Sequence, residues 1–314
     1  MQQGKKILII DDVHASLIEG LEKEGFQVDY KQQIHADEVR PILHQYDGLV
    51  LRSKLNMDKN LINAGLQLKF IARAGSGMDN VDEAYALQKN ITCINTPEAN
   101  SDAVGEHTIA MLLGLLNKIN KADREVRNKI WNREDNRGIE LKGKTVGIIG
   151  YGHTGMAVAK KLAGFEVRVM AYDKYKIGFG NELVKEVSLE EIFSEADILS
   201  LHIPLNDETK WMVNADFLSR FSKSIFFLNL SRGKIVNTQD LVKALEANTV
   251  KGCALDVLEK EEILHFNDEE KKWLKYLIES DKTLLTPHVA GWTYESYEKI
   301  SFYLLTKIKR LNWS

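Results

Sequence analysis

The sequence predicts an α/β protein of two domains, each built on a parallel sheet covered by helices on both faces. Three observations carry that prediction. Short aliphatic runs alternate with longer amphipathic segments almost throughout the 314 residues, the pattern of strand–helix–strand units in buried parallel sheets. The alternation starts afresh at TVGIIG (145–150) after a polar stretch. The chain is also about twice the length of a typical domain.

KILII (6–10) reads as a buried strand, and 14–24 as a helix stopped at Gly25. FQVDY, GLVLR, KFIAR and ITCIN (91–95) follow as strands with helical patterns between them, and the first sheet ends just before Pro97. A long helical pattern runs from about Ser101 to about Lys129, with Asn100 or Ser101 as its cap. WNREDNRGIELKGK (131–144) reads as surface loop. The second unit has expected strands at 145–150, 167–173, 197–202, 224–230, 251–257 and 283–286. A final helix, about Tyr294 to Lys309, carries Ile300, Tyr303, Leu304 and Ile308 near helical spacing. Periodicity alone divides the chain simply, near residue 100.

Composition removes several classes of function. Forty-four per cent hydrophobic and 28% charged residues are a globular balance. A formal net charge of −3 supplies no general attraction for nucleic acid or anionic membrane. The N-terminal apolar run is four residues, too short for a signal-peptide core, and no segment approaches the roughly 20 apolar residues of a membrane helix. Cys93 and Cys253 are two isolated thiols without disulfide or zinc-ligand spacing. A cytoplasmic protein with reduced core cysteines and no metal site is expected.

GYGHTG (150–155) fits G-x-G-x-x-G, a weak pattern in isolation. Here it follows an apolar strand and opens an amphipathic helix, the context a dinucleotide requires. Gly150 permits a tight turn, Gly152 clears the approach of a pyrophosphate, and Gly155 lets helix and strand pack closely. The helix N-terminus offers N–H groups and partial positive charge to phosphates. Asp173 ends the next strand at the expected distance and can accept from a ribose hydroxyl. It would repel a 2′-phosphate, so NAD is expected rather than NADP, although Lys174 beside it softens the preference. The unit is therefore expected to be a Rossmann-type doubly wound sheet.

Hydride transfer to or from a 2-hydroxy acid needs a base for the hydroxyl proton, a cation for the carboxylate, and a group that tunes the base. His288 in TPHVAGW lies just past a strand, where ligands of open α/β sheets bind. Imidazole titrates near physiological pH. Arg232 in NLSRG can grip a carboxylate bidentately. Glu261 can fix the imidazole tautomer. On spacing alone each has an ordinary explanation: a turn histidine, a solvated arginine, a surface glutamate.

From roughly Gly48 to Trp292 the sequence resembles the D-isomer-specific 2-hydroxyacid dehydrogenases. GYGHTG, HIPLNDET, NLSRG, ALDVLEKE, TPHVAGW and NTPEANSDAVGEHT occur in that family's order and context. The resemblance implies that Arg232, Glu261 and His288 are the catalytic set. It implies that Gly150, Gly152, His153, Thr154, Gly155, Asp173, His202, Pro204, Thr209, Leu230, Ser231, Asp256 and Gly291 serve the NAD site. Asp256 could equally be a structural strand-end acid. The family's DVFxxEP is here DVLEKEE, so Glu259 and Glu261 both stand as candidates; counting from Asp256 selects Glu261.

The resemblance also implies a discontinuous substrate domain of flavodoxin-like type, 1–96 plus 288–314, around an NAD domain at 97–287, with the active site in the cleft between them. RAGSGMDNVD is nearest in pattern to the D-3-phosphoglycerate dehydrogenase branch. That implies carboxylate binding by the backbone of Ser76 and Gly77 in the Gly75 turn. Arg52 and Arg73 would be the further cationic contacts of a phosphorylated acid, and Arg133 would reach a neighbouring subunit's site. The expected reaction is oxidation of D-3-phosphoglycerate to 3-phosphohydroxypyruvate, as in serine biosynthesis, by a homodimer joined through the NAD domain. The C-terminal regulatory domains of longer members are missing, so no serine feedback through them is expected. Glyoxylate or hydroxypyruvate reduction, D-lactate dehydrogenation and erythronate-4-phosphate dehydrogenation are the enzymatic alternatives. An NAD-sensing corepressor is the alternative of another class.

Overall fold

The computed structural model describes residues 4–311. They form two compact units. One comprises the described residues through Asn100 together with those from Trp292 onward; the other is Ser101–Gly291.

The first unit holds β1 (Lys6–Ile9), α1 (Ala15–Lys23), β2 (Gln27–Tyr30), α2 (Ala36–Ile42), β3 (Gly48–Leu51), α3 (Lys59–Ala64), β4 (Phe70–Arg73), α4 (Glu83–Gln88) and β5 (Thr92–Ile94). Its sheet is wholly parallel in the order β2-β1-β3-β4-β5, a flavodoxin-like arrangement whose switch point lies between β1 and β3. Successive residues of a strand point to opposite faces, and both faces here are covered. Ile7 and Ile9 enter one core, while Leu8 and Ile10 enter the other. That is why the strands read as unbroken apolar runs. Each of these side chains is fully buried, and each contributes about 1.5–3 kcal/mol relative to exposure. A charged residue at any of them would break the layer.

Helix α12 (Tyr294–Lys309) belongs to this unit. Thr293 caps it by accepting from the Ser296 N–H at 3.0 Å. Its buried Ile300, Leu304 and Ile308 share one core with Leu17 and Leu21 of α1.

The second unit begins with α5 (Ser101–Leu116) and α6 (Ile119–Arg127). The sequence predicts one helix here; the chain instead breaks at Lys118, whose φ is +53°. Beyond the break α6 buries none of its residues. Then come β6 (Thr145–Ile149), α7 (His153–Leu162), β7 (Arg168–Tyr172), β8 (Lys185–Glu186), α8 (Leu189–Glu195), β9 (Ile198–Leu201), α9 (Ala215–Ser219), β10 (Ile225–Asn229), α10 (Thr238–Glu246), β11 (Val250–Leu255), α11 (Asp268–Glu279) and β12 (Thr283–Leu285). The sheet order is β12-β11-β10-β9-β6-β7-β8, again wholly parallel. It is a doubly wound sheet with its switch point between β6 and β9. The two-residue edge strand β8 carries no apolar signal, and the sequence reading lacks it. Among the described residues no helix is long and apolar enough to cross a membrane.

Candidate active site

The glycine turn sits at the switch point of the second sheet. Gly150 has φ +95°, and a Cβ there would lie 2.3 Å from the His202 carbonyl oxygen. A Cβ on Gly155 would lie 2.1 Å from the Gly150 oxygen, so only glycine lets α7 approach β6 this closely. Gly152 differs. Its φ is −85°, and among the described residues no atom other than those of Gly152 and its chain neighbours lies within 4 Å of a Cβ placed there. Nothing in the fold explains that glycine; open space before a helix N-terminus without a side-chain cap does. His153 and Thr154 form the first turn beside it. These features fit a dinucleotide pyrophosphate.

Asp173 follows β7 and clamps this turn. Its Oδ2 accepts from the Tyr151 N–H at 2.8 Å, and its Oδ1 from those of Tyr175 and Lys176 at 2.9 and 3.1 Å. Lys174, which the sequence sets beside that carboxylate, turns instead to Glu208 at 2.6 Å. A cation the sequence reading missed, Lys176, bonds the Tyr151 carbonyl at 3.0 Å. His202 follows β9. Its Nε2 meets Ser200 Oγ at 2.8 Å, while its Nδ1 is sealed from solvent without a partner among the described residues. Burial pushes this imidazole down to about 4. The Thr209 hydroxyl is used within its own loop, donating to the Pro204 carbonyl at 2.7 Å. Leu230 is buried, and the Ser231 hydroxyl donates to Asn229 Oδ1 at 2.8 Å.

The three residues expected to be catalytic, Arg232, Glu261 and His288, lie past three neighbouring strands, β10, β11 and β12. His288 Nδ1 is 2.9 Å from Glu261 Oε1 and 3.1 Å from Oε2. Both side chains are about half exposed, at 46% and 49%. With Nδ1 on the carboxylate, Nε2 is the nitrogen left for a ligand. The second acid, Glu259, is engaged elsewhere: it accepts from Trp211 Nε1 at 2.7 Å and from the Thr238 N–H at 3.1 Å. Arg232 follows β10, partly buried, and its Nη1 donates to the Ser231 carbonyl at 2.7 Å.

The loop bearing His288 rests on Asp256, which is 1% exposed. Its Oδ1 accepts from the Thr286 hydroxyl at 2.5 Å and the Val289 N–H at 2.9 Å; its Oδ2 accepts from the Ala290 N–H at 2.9 Å, one residue before Gly291. Its carbonyl accepts from the His288 N–H at 2.7 Å. His288 itself has φ +57°, a left-handed backbone uncommon outside glycine.

In the first unit Arg52 follows β3, and its guanidinium lies 4.1 Å from the centre of the Trp292 ring. The Arg52 N–H donates to Asp11 Oδ2, and burial draws the guanidinium down while Asp11 and Asp12 oppose that shift. Arg73 ends β4. Gly75, at φ +149°, leaves room for Arg73 to fold back over the turn, where a Cβ would overlap its Nη1. Three residues that the sequence reading did not assign to this turn pin Gly75–Gly77. The Asn95 amide donates to the Ser76 carbonyl at 2.6 Å, and the Thr96 N–H to the Gly75 carbonyl at 2.9 Å. Asn100 Oδ1 accepts from the Ser76 hydroxyl. Arg133 is exposed in the irregular stretch after α6.

Residues 109–290 match the family described as "D-isomer specific 2-hydroxyacid dehydrogenase, NAD binding domain". A D-3-phosphoglycerate dehydrogenase of Archaeoglobus fulgidus is 33% identical over 93% of this chain. The chain spans about half that relative's length, 54%. A hydroxypyruvate reductase of Thermotoga maritima is 32% identical, with 92% of each chain covered. Among solved structures, a D-lactate dehydrogenase of Aquifex aeolicus complexed with NAD and lactic acid superposes with a TM-score of 0.82 at 26% identity, covering 97% of this chain and 94% of that one.

Proposed function

The chain belongs to the D-isomer specific 2-hydroxyacid dehydrogenase family, and on that footing we propose that it is an NAD-dependent oxidoreductase acting on C2 of a small D-2-hydroxy acid. The observation that carries the reading is the 2.9 Å pair of Glu261 and His288 in the unit that also holds the glycine cradle. Arg232 holds the substrate carboxylate and polarises the C2 oxygen. His288 takes the hydroxyl proton at Nε2 and returns it in the reverse direction, while Glu261 stabilises the imidazolium and fixes its orientation. NAD, when bound, accepts or returns the hydride. The residues proposed to hold it are Gly150, Gly152, His153, Thr154, Gly155 and Asp173, with His202, Pro204, Thr209, Leu230, Ser231, Asp256 and Gly291.

Arg52, Arg73 and the Gly75–Ser76–Gly77 turn are the proposed substrate contacts, and D-3-phosphoglycerate is the first substrate. One observation favours a second reading, reduction of an unphosphorylated acid such as hydroxypyruvate. Arg52 stacks on Trp292 and faces Asp11 and Asp12, which weakens its field for a phosphate. A homodimer completes the proposal: no residue of α6 is fully buried, and Ile130 and Trp131 stand 51% and 81% exposed.

The test is an NAD(H) assay with 3-phosphoglycerate, hydroxypyruvate, glyoxylate and pyruvate. His288→Ala is expected to abolish turnover while NADH binding persists. Retained turnover at neutral pH in that variant refutes the role of His288.

A further inference from the structure

We infer that His107, on the second turn of α5, is a positioning residue for the loop that carries His288. The inference rests on the dehydrogenase reading above for its catalytic purpose, and on geometry alone for the contact itself. His107 Nε2 lies 3.2 Å from Thr286 Oγ1, and the His107 side chain is only 27% exposed. The Thr286 hydroxyl donates to Asp256, because a carboxylate has only acceptors to offer. The hydroxyl oxygen is then left to accept, which puts the proton of His107 on Nε2. The result is a continuous chain of donors from α5 through Thr286 to a buried carboxylate. The same carboxylate also takes the N–H groups of Val289 and Ala290.

His107 stands 179 positions before Thr286 in sequence, yet its ring reaches the same hydroxyl that donates to Asp256. Thr286 is fixed by its N–H to the Leu255 carbonyl at 3.0 Å, and His288 by its N–H to Asp256. His288 must keep a left-handed backbone between them. Such a conformation persists only where its surroundings over-determine it. Loss of the His107 donor leaves the Thr286 hydroxyl free to rotate away from Asp256. The carboxylate then holds the loop with fewer bonds, and the His288 ring loses its fixed origin. A displacement of about 1 Å at a reacting group can cost about a hundredfold in rate.

The experiment compares the full chain with His107→Leu, His107→Gln and Thr286→Val. The first readout needs no substrate: amide hydrogen exchange of peptides spanning 286–291. His107→Leu and Thr286→Val are expected to exchange there about tenfold faster or more, with α5 itself unchanged. His107→Gln, whose amide nitrogen can donate from a similar position, stays near wild type. The second readout is NADH oxidation with hydroxypyruvate and glyoxylate. The kcat of the Leu and Val variants is expected to fall about tenfold or more, with KM for NADH within about twofold, and the Gln variant recovers most of the loss. Unchanged exchange at 286–291 in both the Leu and Val variants overturns the brace. Faster exchange with unchanged kcat overturns the positioning role. A wild-type chain that turns over none of 3-phosphoglycerate, hydroxypyruvate, glyoxylate and pyruvate overturns the catalytic purpose, and the exchange arm still decides the contact.

Discussion

Gly152 and Gly155 lie three residues apart in one turn, yet the structure gives them different work, and substitution by alanine separates the two. At Gly155 a methyl would sit 2.1 Å from the Gly150 carbonyl oxygen and 3.4 Å from Ile148 Cγ2. The obstacle is backbone, so α7 must move off β6. Overpacking of this kind costs about 1–3 kcal/mol, and Gly155→Ala is expected to lower the thermal midpoint of the coenzyme-free protein. At Gly152 the backbone suits alanine, and among the described residues nothing beyond its chain neighbours lies within 4 Å of the added methyl, so Gly152→Ala leaves that midpoint unchanged. The methyl instead enters the space proposed for the pyrophosphate. A clash of about 1–3 kcal/mol there raises the NADH Kd by about 5- to 150-fold. Thermal unfolding without coenzyme and NADH fluorescence titration read the two effects separately. Wild-type NADH affinity in Gly152→Ala refutes the assignment of that open space to the coenzyme.

Three further outcomes are expected. Glu261→Gln lowers kcat by removing the charge beside His288, whereas Glu259→Gln, whose partners are Trp211 and Thr238, changes stability more than kcat; steady-state kinetics beside urea unfolding distinguishes them, and the reverse pattern shifts the role to Glu259. His202 is held neutral, its value pushed from the ordinary 6.5 down to about 4. The unfolded chain therefore takes up this proton first, and the contribution is complete above about pH 6.5 and lost as pH falls toward 4. His202→Asn should remove up to about 3 kcal/mol of the acid-side loss, less in proportion to the ring's partial exposure, and superimposable urea-midpoint profiles from pH 7 to 4 exclude this. Burial pushes the Cys93 and Cys253 thiols up to about 11 and about 12, so neither should alkylate with iodoacetamide at pH 7.5 in the folded chain; modification of either by mass spectrometry contradicts the packing.

The strands were legible because a sheet covered on both sides puts apolar residues at consecutive positions, as with Ile7 to Ile10. The glycine turn was legible because its context is stereochemically demanding. The break between α5 and α6 was not. LLNKINK keeps apolar residues at helical spacing, and Lys118 adopts its left-handed backbone without a glycine or proline to announce it. The pinning of the Gly75 turn by Asn95, Thr96 and Asn100 was equally hidden, since Asn100 reads as a helix cap and nothing in the pattern of small polar residues near Pro97 points them at a turn 19 to 24 residues earlier. Counting along the chain favoured Glu261 over Glu259; only their partners, an imidazole for one and an indole with a backbone amide for the other, distinguish their surroundings.

Helix α12 has a consequence for biosynthesis. Leu17 and Leu21 emerge from the ribosome before the second unit, but Ile300, Leu304 and Ile308, which share their core, emerge after the whole of it. The second unit can therefore condense during translation while α1 still shows bare hydrocarbon to the cell. A nascent or prematurely terminated chain lacking α12 would present that stripe as a chaperone target.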